Sequence, residues 1–263
     1  MMISLDLDGT LLDSNKKVPK STREYLRKLK NKGEIIVLNT GRVIQRALKA
    51  TEDAYFANYV ISDTGALVYD ADSKTVINQL EIDREIGRKL FELAKNRFDE
   101  FTVFTSSNYY KYLNKKREVE ENCVLIDDYK YILDNTLKIS HIAIDDENEE
   151  DLKEFIMANQ DSFKELKMFV MWDSFGTKKW IEVIRKEAGK FNALVNLAKT
   201  LNVKTEDIIS FGDSINDIEM MKYSGIGVAM KNAIPQIKES ANFITEYTND
   251  ELGVEMWLRK YFV

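Results

Sequence analysis

Met2-Ile3-Ser4-Leu5-Asp6-Leu7-Asp8-Gly9-Thr10 is an apolar run that breaks off in two carboxylates and a glycine. A short, continuously apolar segment bounded by turn residues reads as a strand buried on both faces. Met2–Leu7 is therefore read as a strand and Asp8-Gly9 as the turn that ends it. The pattern then changes period: a helix near Thr22–Asn31 with a capping box at Ser21-Thr22-Arg23-Glu24 just after Pro19, closed by Gly33. A strand at Glu34–Asn39, a helix from Val43 and a strand at Tyr59–Ser62 follow, giving a β-α-β-α-β rhythm.

The rhythm returns at the far end. A helix is predicted around Phe191–Leu201, a strand at Asp207–Phe211, a helix at Asp217–Tyr223, a strand at Ile226–Met230, a helix near Pro235–Ala241, a short strand at Asn242–Thr245 and a final helix. Close-set βα units imply a parallel sheet with helices on both faces, a doubly wound, Rossmann-like α/β core. Between these halves the character shifts to Tyr- and Phe-rich β segments, Phe101–Leu113, Ile139–Asp145, Lys167–Asp173 and Lys178–Ile184, mixed with helices at about 84–98 and 149–159. The expected division is a core of residues 1–82 and 186–263 and an inserted α/β domain of residues 83–185.

Composition removes several functions. Among 263 residues there is one cysteine, Cys123, and one histidine, His141, so an internal disulfide, a thiolate zinc site and a multi-histidine metal centre are excluded. A balance of 38 basic against 44 acidic residues leaves a net charge of −6, which argues against a general nucleic-acid surface. No apolar run reaches the ~18–20 residues that span a bilayer. The first residues read as neither leader nor anchor, so a cytoplasmic location with no membrane partner is expected. The acidic run Asp145–Asp151 reads as a solvated helix start, since it lacks the spacing and central glycine of a calcium loop.

The chemistry lies where strands end. Ligands of an open parallel sheet bind beyond the carboxyl ends of its strands. Three of those ends are polar here: Asp6-Leu7-Asp8-Gly9-Thr10, Asn39-Thr40-Gly41-Arg42 and Gly212-Asp213-Ser214-Ile215-Asn216-Asp217. If Asp6, Asp8, Asp213 and Asp217 converge, each pair at ~5 Å repels by about 3 kcal/mol at an effective dielectric near 20, so positive charge is required. Carboxylate ligands suit a hard divalent cation, Mg²⁺ in the first place, and Lys190 at a helix start supplies a second cation. Thr40 and the Gly41 N–H offer neutral donors to phosphate oxygens. Such parts fit phosphoryl transfer: an aspartate nucleophile, cations around the phosphoryl oxygens and a second carboxylate, Asp8, moving the proton with a pKa raised by its acidic neighbours.

On these residues the chain resembles the haloacid dehalogenase-like (HAD) superfamily, and within it the Cof-type phosphatases with a large α/β cap, subclass IIB. Asp6-Leu7-Asp8-Gly9-Thr10-Leu11-Leu12 matches the nucleophile motif and Thr40-Gly41-Arg42 the second. Lys190 with Ala193-Leu194 matches the third, and Gly212–Asp217 the fourth. Val228–Ala233 resembles the stretch that follows the fourth motif. The resemblance implies Asp6 as nucleophile and metal ligand, Asp8 as general acid/base with its main-chain carbonyl on the metal, Asp213 as a further ligand and Asp217 in support. It implies phosphate contacts from Thr40, Gly41, Lys190 and Asn216, with Asn232 behind them. It further implies a cap domain, and because the core supplies only phosphate, metal and acid/base groups, the cap is expected to select the substrate, a small phosphate ester. The turn Asp173–Lys179 and Asn108, Tyr109 and Tyr110 are candidate contacts, the tyrosines reading first as packing of the cap sheet. The chain carries Gly189-Lys190-Phe191 where the family often has Lys-Gly, and Asp63-Thr64-Gly65-Ala66 where it often has Asn-Gly-Ala.

The expected activity is hydrolysis of small phosphorylated metabolites, sugar phosphates foremost. A phosphomutase or phosphotransferase of the same superfamily, and a receiver-like phospho-accepting switch, stand as alternatives. A dinucleotide enzyme does not, because Gly225-Ile226-Gly227 lacks the third glycine of that fingerprint.

Overall fold

The structure, a computed structural model, describes residues 1–114, 123–172 and 177–262. The chain divides into two compact units, Met1–Asn78 with Gly189–Val263, and Gln79–Ala188.

The first half of the discontinuous unit contains β1 (Met2–Leu5), α1 (Lys20–Asn31), β2 (Ile35–Asn39), α2 (Ile44–Ala50), β3 (Tyr59–Ser62), β4 (Leu67–Asp70) and β5 (Thr75–Gln79). The inserted unit contributes α3 (Arg84–Ala94), β6 (Glu100–Phe104), β7 (Tyr109–Leu113), β8 (Cys123–Leu125), α4 (Lys130–Asp134), β9 (His141–Asp145), α5 (Glu149–Asn159), β10 (Leu166–Trp172) and β11 (Lys179–Arg185). The chain then returns through α6 (Lys190–Thr200), β12 (Ile208–Gly212), α7 (Ile218–Tyr223), β13 (Ile226–Ala229), α8 (Pro235–Ser240), β14 (Phe243–Ile244) and α9 (Gly253–Tyr261).

In the discontinuous unit the eight strands run β14-β13-β12-β1-β2-β3-β4-β5. Pairing is parallel from β14 to β3. β1, β2 and β12 bury nearly every residue, as continuous apolar runs demand when helices cover both faces. The parallel run stops at β3, because β4 pairs with it antiparallel after a connection of four residues, 63–66, too short for a crossover. The parallel sheet expected from the sequence is present and carries this antiparallel edge in addition. From β1 the chain winds one way to β2 and β3, and after the insertion the other way to β12 and β13. A crevice therefore opens between the carboxyl ends of β1 and β12.

A correction concerns α1. The predicted capping box is absent, since the helix begins at Lys20 with Pro19 in the cap position and no side-chain cap. Proline's fixed φ, −56° here, starts the helix directly, and the Pro19 carbonyl accepts the Arg23 N–H at 3.0 Å. Ser21 then falls inside the first turn.

The inserted unit is a six-stranded sheet ordered β10-β11-β9-β6-β7-β8, antiparallel except for the β7·β8 pair. Alternation splits its faces. Phe101, Val103, Ile142, Ile144, Ile181 and Val183 join Leu90 and Phe91 of α3 and Leu152 and Phe155 of α5 in one core. Glu100, Thr102, His141 and Glu182, at the intervening positions, are buried polar groups. Tyr109 and Tyr110 are 4% and 7% exposed, so both pack within the unit, while Asn108 is exposed. Residues 173–176 of the expected contact turn lie outside the described residues.

Candidate active site

Parallel register sets the first distance of the site. Leu5 pairs with Phe211, and the Asp6 N–H donates to the Phe211 carbonyl at 3.2 Å, so Asp6 and Asp213 leave adjacent strands side by side. Beyond Asp6 the chain turns through Leu7–Leu11, with Gly9 at φ +74°. A β-carbon at Gly9 would lie 2.4 Å from Asp213 Oδ2, so both the backbone conformation and the approach of Asp213 require glycine there. Thr10 Oγ1 donates to Asp213 Oδ1 at 3.0 Å, and Asn232 Nδ2 donates to the Gly9 carbonyl at 2.7 Å.

Asp217 completes the cluster from the turn after β12. Its Oδ2 accepts the N–H groups of Asp213 (3.1 Å) and Ser214 (3.2 Å), and the Ser214 side chain answers as the other half of a capping box. Ligand oxygens of Asp6, Asp213 and Asp217 all lie within 4.8 Å of one another. Lys190, the first residue of α6 and 3% exposed, reaches between them, donating to Asp6 Oδ1 at 2.6 Å and Asp217 Oδ1 at 2.8 Å. Its backbone is fixed from below by the fully buried Asn39, whose Nδ2 donates to the Lys190 carbonyl at 3.1 Å.

One ammonium against three buried carboxylates leaves excess negative charge. Burial first, then Asp217 and Asp213, push the Asp6 carboxyl well above its ordinary range against the pull of Lys190. Burial and the charge of Asp217 push Asp213 up to about 7. For Lys190 burial opposes the charge, but Asp217 and Asp6 outweigh it and hold the ammonium well above its usual range. An all-oxygen donor set with surplus negative charge fits a hard divalent cation, so the residues present suit the metal that the sequence implied.

Asp8 behaves differently from expectation. Although it follows Asp6 by two residues, its carboxylate is forked by Arg42, Nε on Oδ2 at 2.6 Å and Nη2 on Oδ1 at 2.7 Å. Lys16 adds a third donor to Oδ1 at 2.9 Å. Burial would raise this group, but Arg42 and Lys16 together bring it down to about 2, so the predicted rise is corrected to a fall. Neither Arg42 nor Lys16 was singled out from the sequence as a partner of Asp8. Arg42 stood inside the quoted Thr40-Gly41-Arg42 motif, whereas Lys16 carried no signal in a run of surface lysines.

The other predicted residues lie around this centre. Thr40 is buried beyond β2, and its Oγ1 accepts the Arg42 N–H at 3.1 Å. Thr64 adopts φ +52°, its carbonyl accepting the Gly189 N–H at 3.0 Å and its hydroxyl standing against Gly41. The Thr64 backbone thus braces the start of α6 beside Lys190. Asn216 is half-buried on the turn after β12, with Oδ1 accepting from Ser214 Oγ at 3.0 Å. His141 lies in the inserted unit, stacked on Phe104 at 4.1 Å between ring centres.

Comparison with known proteins agrees with this reading of the fold. The family profile of the haloacid dehalogenase-like hydrolases matches residues 3–258. The protein YxeH of Bacillus subtilis is 31% identical, over 96% of this chain and 95% of its own length. The 5-amino-6-(5-phospho-D-ribitylamino)uracil phosphatase YcsE of the same organism is 29% identical, over 99% and 95%. Among solved structures, a haloacid dehalogenase-like hydrolase from B. subtilis superposes with a TM-score of 0.83 at 26% identity, covering 96% of both chains. The subclass IIB sugar phosphatase BT4131 shares the fold at a TM-score of 0.79 and 21% identity, over 99% and 98%. The chain belongs to the haloacid dehalogenase-like hydrolases. Within that family it is a phosphatase. Among the described residues no helix is long and apolar enough to cross a membrane.

Proposed function

We propose that this phosphatase hydrolyses small phosphorylated metabolites in the cytoplasm, sugar phosphates foremost, through an aspartyl-phosphate formed on Asp6 with Mg²⁺ as cofactor. The observation that carries the reading is the buried Asp6 carboxylate, held at 2.6 Å by Lys190 with Asp213 and Asp217 inside 4.8 Å. A carboxylate so fixed is oriented as a nucleophile, and the groups around it stabilise charge as it develops on a phosphoryl group.

In this reading an Asp6 oxygen attacks phosphorus and the bond to the leaving oxygen breaks. Lys190 neutralises the phosphoryl oxygens from below, and Thr40, the Gly41 N–H and Asn216 fix their orientation. The metal would be held by the carboxylates of Asp6 and Asp213 and the main-chain carbonyl of Asp8, with Asp217 in support. When bound, it offsets the carboxylates' charge and that of the ester. Asp8 then takes a proton from the water that hydrolyses the aspartyl-phosphate, a role for which an ionised carboxylate is ready. Giving a proton to the leaving alkoxide requires Arg42 and Lys16 to relax their hold, because a carboxyl ionised down to about pH 2 carries almost no proton at neutral pH.

The inserted domain, residues 83–185 in the sequence division, is proposed as the substrate-selecting part, since phosphate, metal and proton chemistry are all supplied by the other unit. The name of the relative YcsE, a phosphatase of a phosphorylated ribityl compound, supports a small polyhydroxylated ester. The test is Mg²⁺-dependent phosphate release over a metabolite panel, with Asp6→Asn as control. Release of free phosphate by the wild type and loss of turnover in the variant are expected. An isomerised sugar phosphate without net release would point instead to a mutase.

A further inference from the structure

The side chains of Asp8, Arg42 and Lys16 are given no place on the metal or the phosphate, yet they form a cluster built from both sides. The Arg42 backbone is pinned at its N–H by Thr40 Oγ1 at 3.1 Å and at its carbonyl by the Asp63 N–H at 2.8 Å, so its side chain leaves from a fixed base. From there it crosses from the end of β2 to the turn after β1 and meets Asp8 edge-on, one nitrogen to each oxygen. A planar fork on a planar carboxylate sets the rotation of the whole group, which a single ammonium cannot do. The two oxygens are then made unequal. Among the described residues, Oδ1 carries two donors, Arg42 Nη2 and Lys16 Nζ, whereas Oδ2 carries only Arg42 Nε.

We propose that Arg42 is a positioning residue that aims Asp8, leaving Oδ2 as the oxygen that takes the proton from the hydrolytic water, with Lys16 blocking Oδ1. The inference deepens the phosphatase reading and rests on its aspartyl-phosphate. The water oxygen bonds to phosphorus as one of its protons passes to Asp8 Oδ2, and the bond from phosphorus to Asp6 breaks with its electron pair returning to the Asp6 carboxylate. Inorganic phosphate leaves. Formation of the aspartyl-phosphate from an ester with a good leaving group needs no proton from Asp8, so the clamp serves the second half of the cycle alone.

That separation defines the experiment. Rapid mixing of Arg42→Ala with p-nitrophenyl phosphate and Mg²⁺ should give a burst of about one p-nitrophenolate per active site. A steady state roughly 10- to 100-fold slower than wild type should follow. kcat/KM should stay within about threefold of wild type, so KM falls alongside kcat, a split that general loosening of the site does not produce. Arg42→Lys, which keeps the charge without the fork, should show the same pattern and serves if the alanine variant does not fold. A fall in kcat/KM equal to that in kcat, or a missing burst, overturns the proposal by making Arg42 a phosphate ligand or a structural residue. Asp8→Asn separates the two levels. If Asp8→Asn bursts and the Arg42 variants do not, the clamp is wrong and the mechanism stands. If Asp8→Asn also gives no phosphoenzyme burst, the mechanism itself fails.

Discussion

Lys190 donates to Asp6 at 2.6 Å across 184 positions of sequence, and the same ammonium is 2.8 Å from Asp217. All three side chains are almost fully buried, so the lysine is the counter-charge held between these two carboxylates. Removing one partner of a buried ion pair leaves the other uncompensated, which typically costs about 3–5 kcal/mol. Lys190→Met should therefore lose at least ~100-fold in kcat and unfold at lower urea concentration without metal. Added Mg²⁺ should restore part of the stability and none of the activity. Paired kinetics and urea titrations with and without Mg²⁺ check both halves, and a variant as stable as wild type would show that the pair is not what holds the carboxylates together.

Asp213 provides a pH test with a definite sign. Its carboxyl is raised to about 7 in the folded chain, chiefly by burial and by Asp217, from an ordinary value of 3.8. The folded state then binds more protons than the unfolded one between those values. Stability from this group is full below pH 4 and declines as pH rises towards 7, by at most about 1.4 kcal/mol per unit. Asp213→Asn should flatten that decline and raise metal-free stability at pH 7–8 while abolishing turnover. In the wild type, Mg²⁺ should raise the melting temperature more at pH 8 than at pH 5, because protons and metal compete for the same oxygens. Thermal melts at the two pH values, with and without Mg²⁺, decide it.

His141 gives the opposite slope in the other unit. Burial holds its imidazole down to about 3 from an ordinary 6.5. Glu182 Oε1 lies 3.8 Å away, beyond hydrogen-bond reach, and Glu182 Oε2 already accepts the Trp180 indole N–H at 2.8 Å, so desolvation decides the direction. The unfolded chain takes up the proton first. Stability is full above about pH 6.5 and falls as pH drops towards 3, again by at most about 1.4 kcal/mol per unit. His141→Gln should reduce the difference in stability of the inserted unit between pH 7 and pH 5, as followed by hydrogen exchange on β9 and β6.

What the sequence disclosed, and what it withheld, follows from the range of the interactions. Asp6, Asp213 and Asp217 were legible because strand ends in a parallel sheet must share one edge, and period and turn residues locate those ends to within a residue or two. Lys190 was legible as a helix start. The antiparallel β4 was not, since the three residues Asp63–Gly65 that turn the chain back include left-handed Asp63 and Thr64, residue types with no fixed link to that geometry. Asp8 was placed correctly along the chain but its ionisation was read with the wrong sign. The acidic neighbours expected to converge were read as the charges that count, while Arg42, 34 positions away, closes on it at 2.6 Å. A pKa is set by whichever charge arrives, and only the folded chain decides that.

Gly9 and Gly33 form a matched pair for the last test, since both have positive φ, +74° and +96°, and differ in what surrounds them. At Gly33, which follows the C-terminus of α1, an added β-carbon meets nothing within 4 Å, so alanine there costs only the backbone preference, about 1 kcal/mol. At Gly9 the same carbon would lie 2.4 Å from Asp213 Oδ2 and 2.8 Å from its Cγ, forcing the carboxylate away from Asp6 and from Thr10. Gly33→Ala should lower the melting temperature by a few degrees and leave kcat/KM untouched. Gly9→Ala should lose roughly 100-fold or more in kcat/KM and require higher Mg²⁺ for half-maximal rate, because the displaced group is one that the metal would need. Equal losses in the two variants would mean that left-handed backbone strain, rather than the approach of Asp213 to the turn, is what glycine secures at position 9.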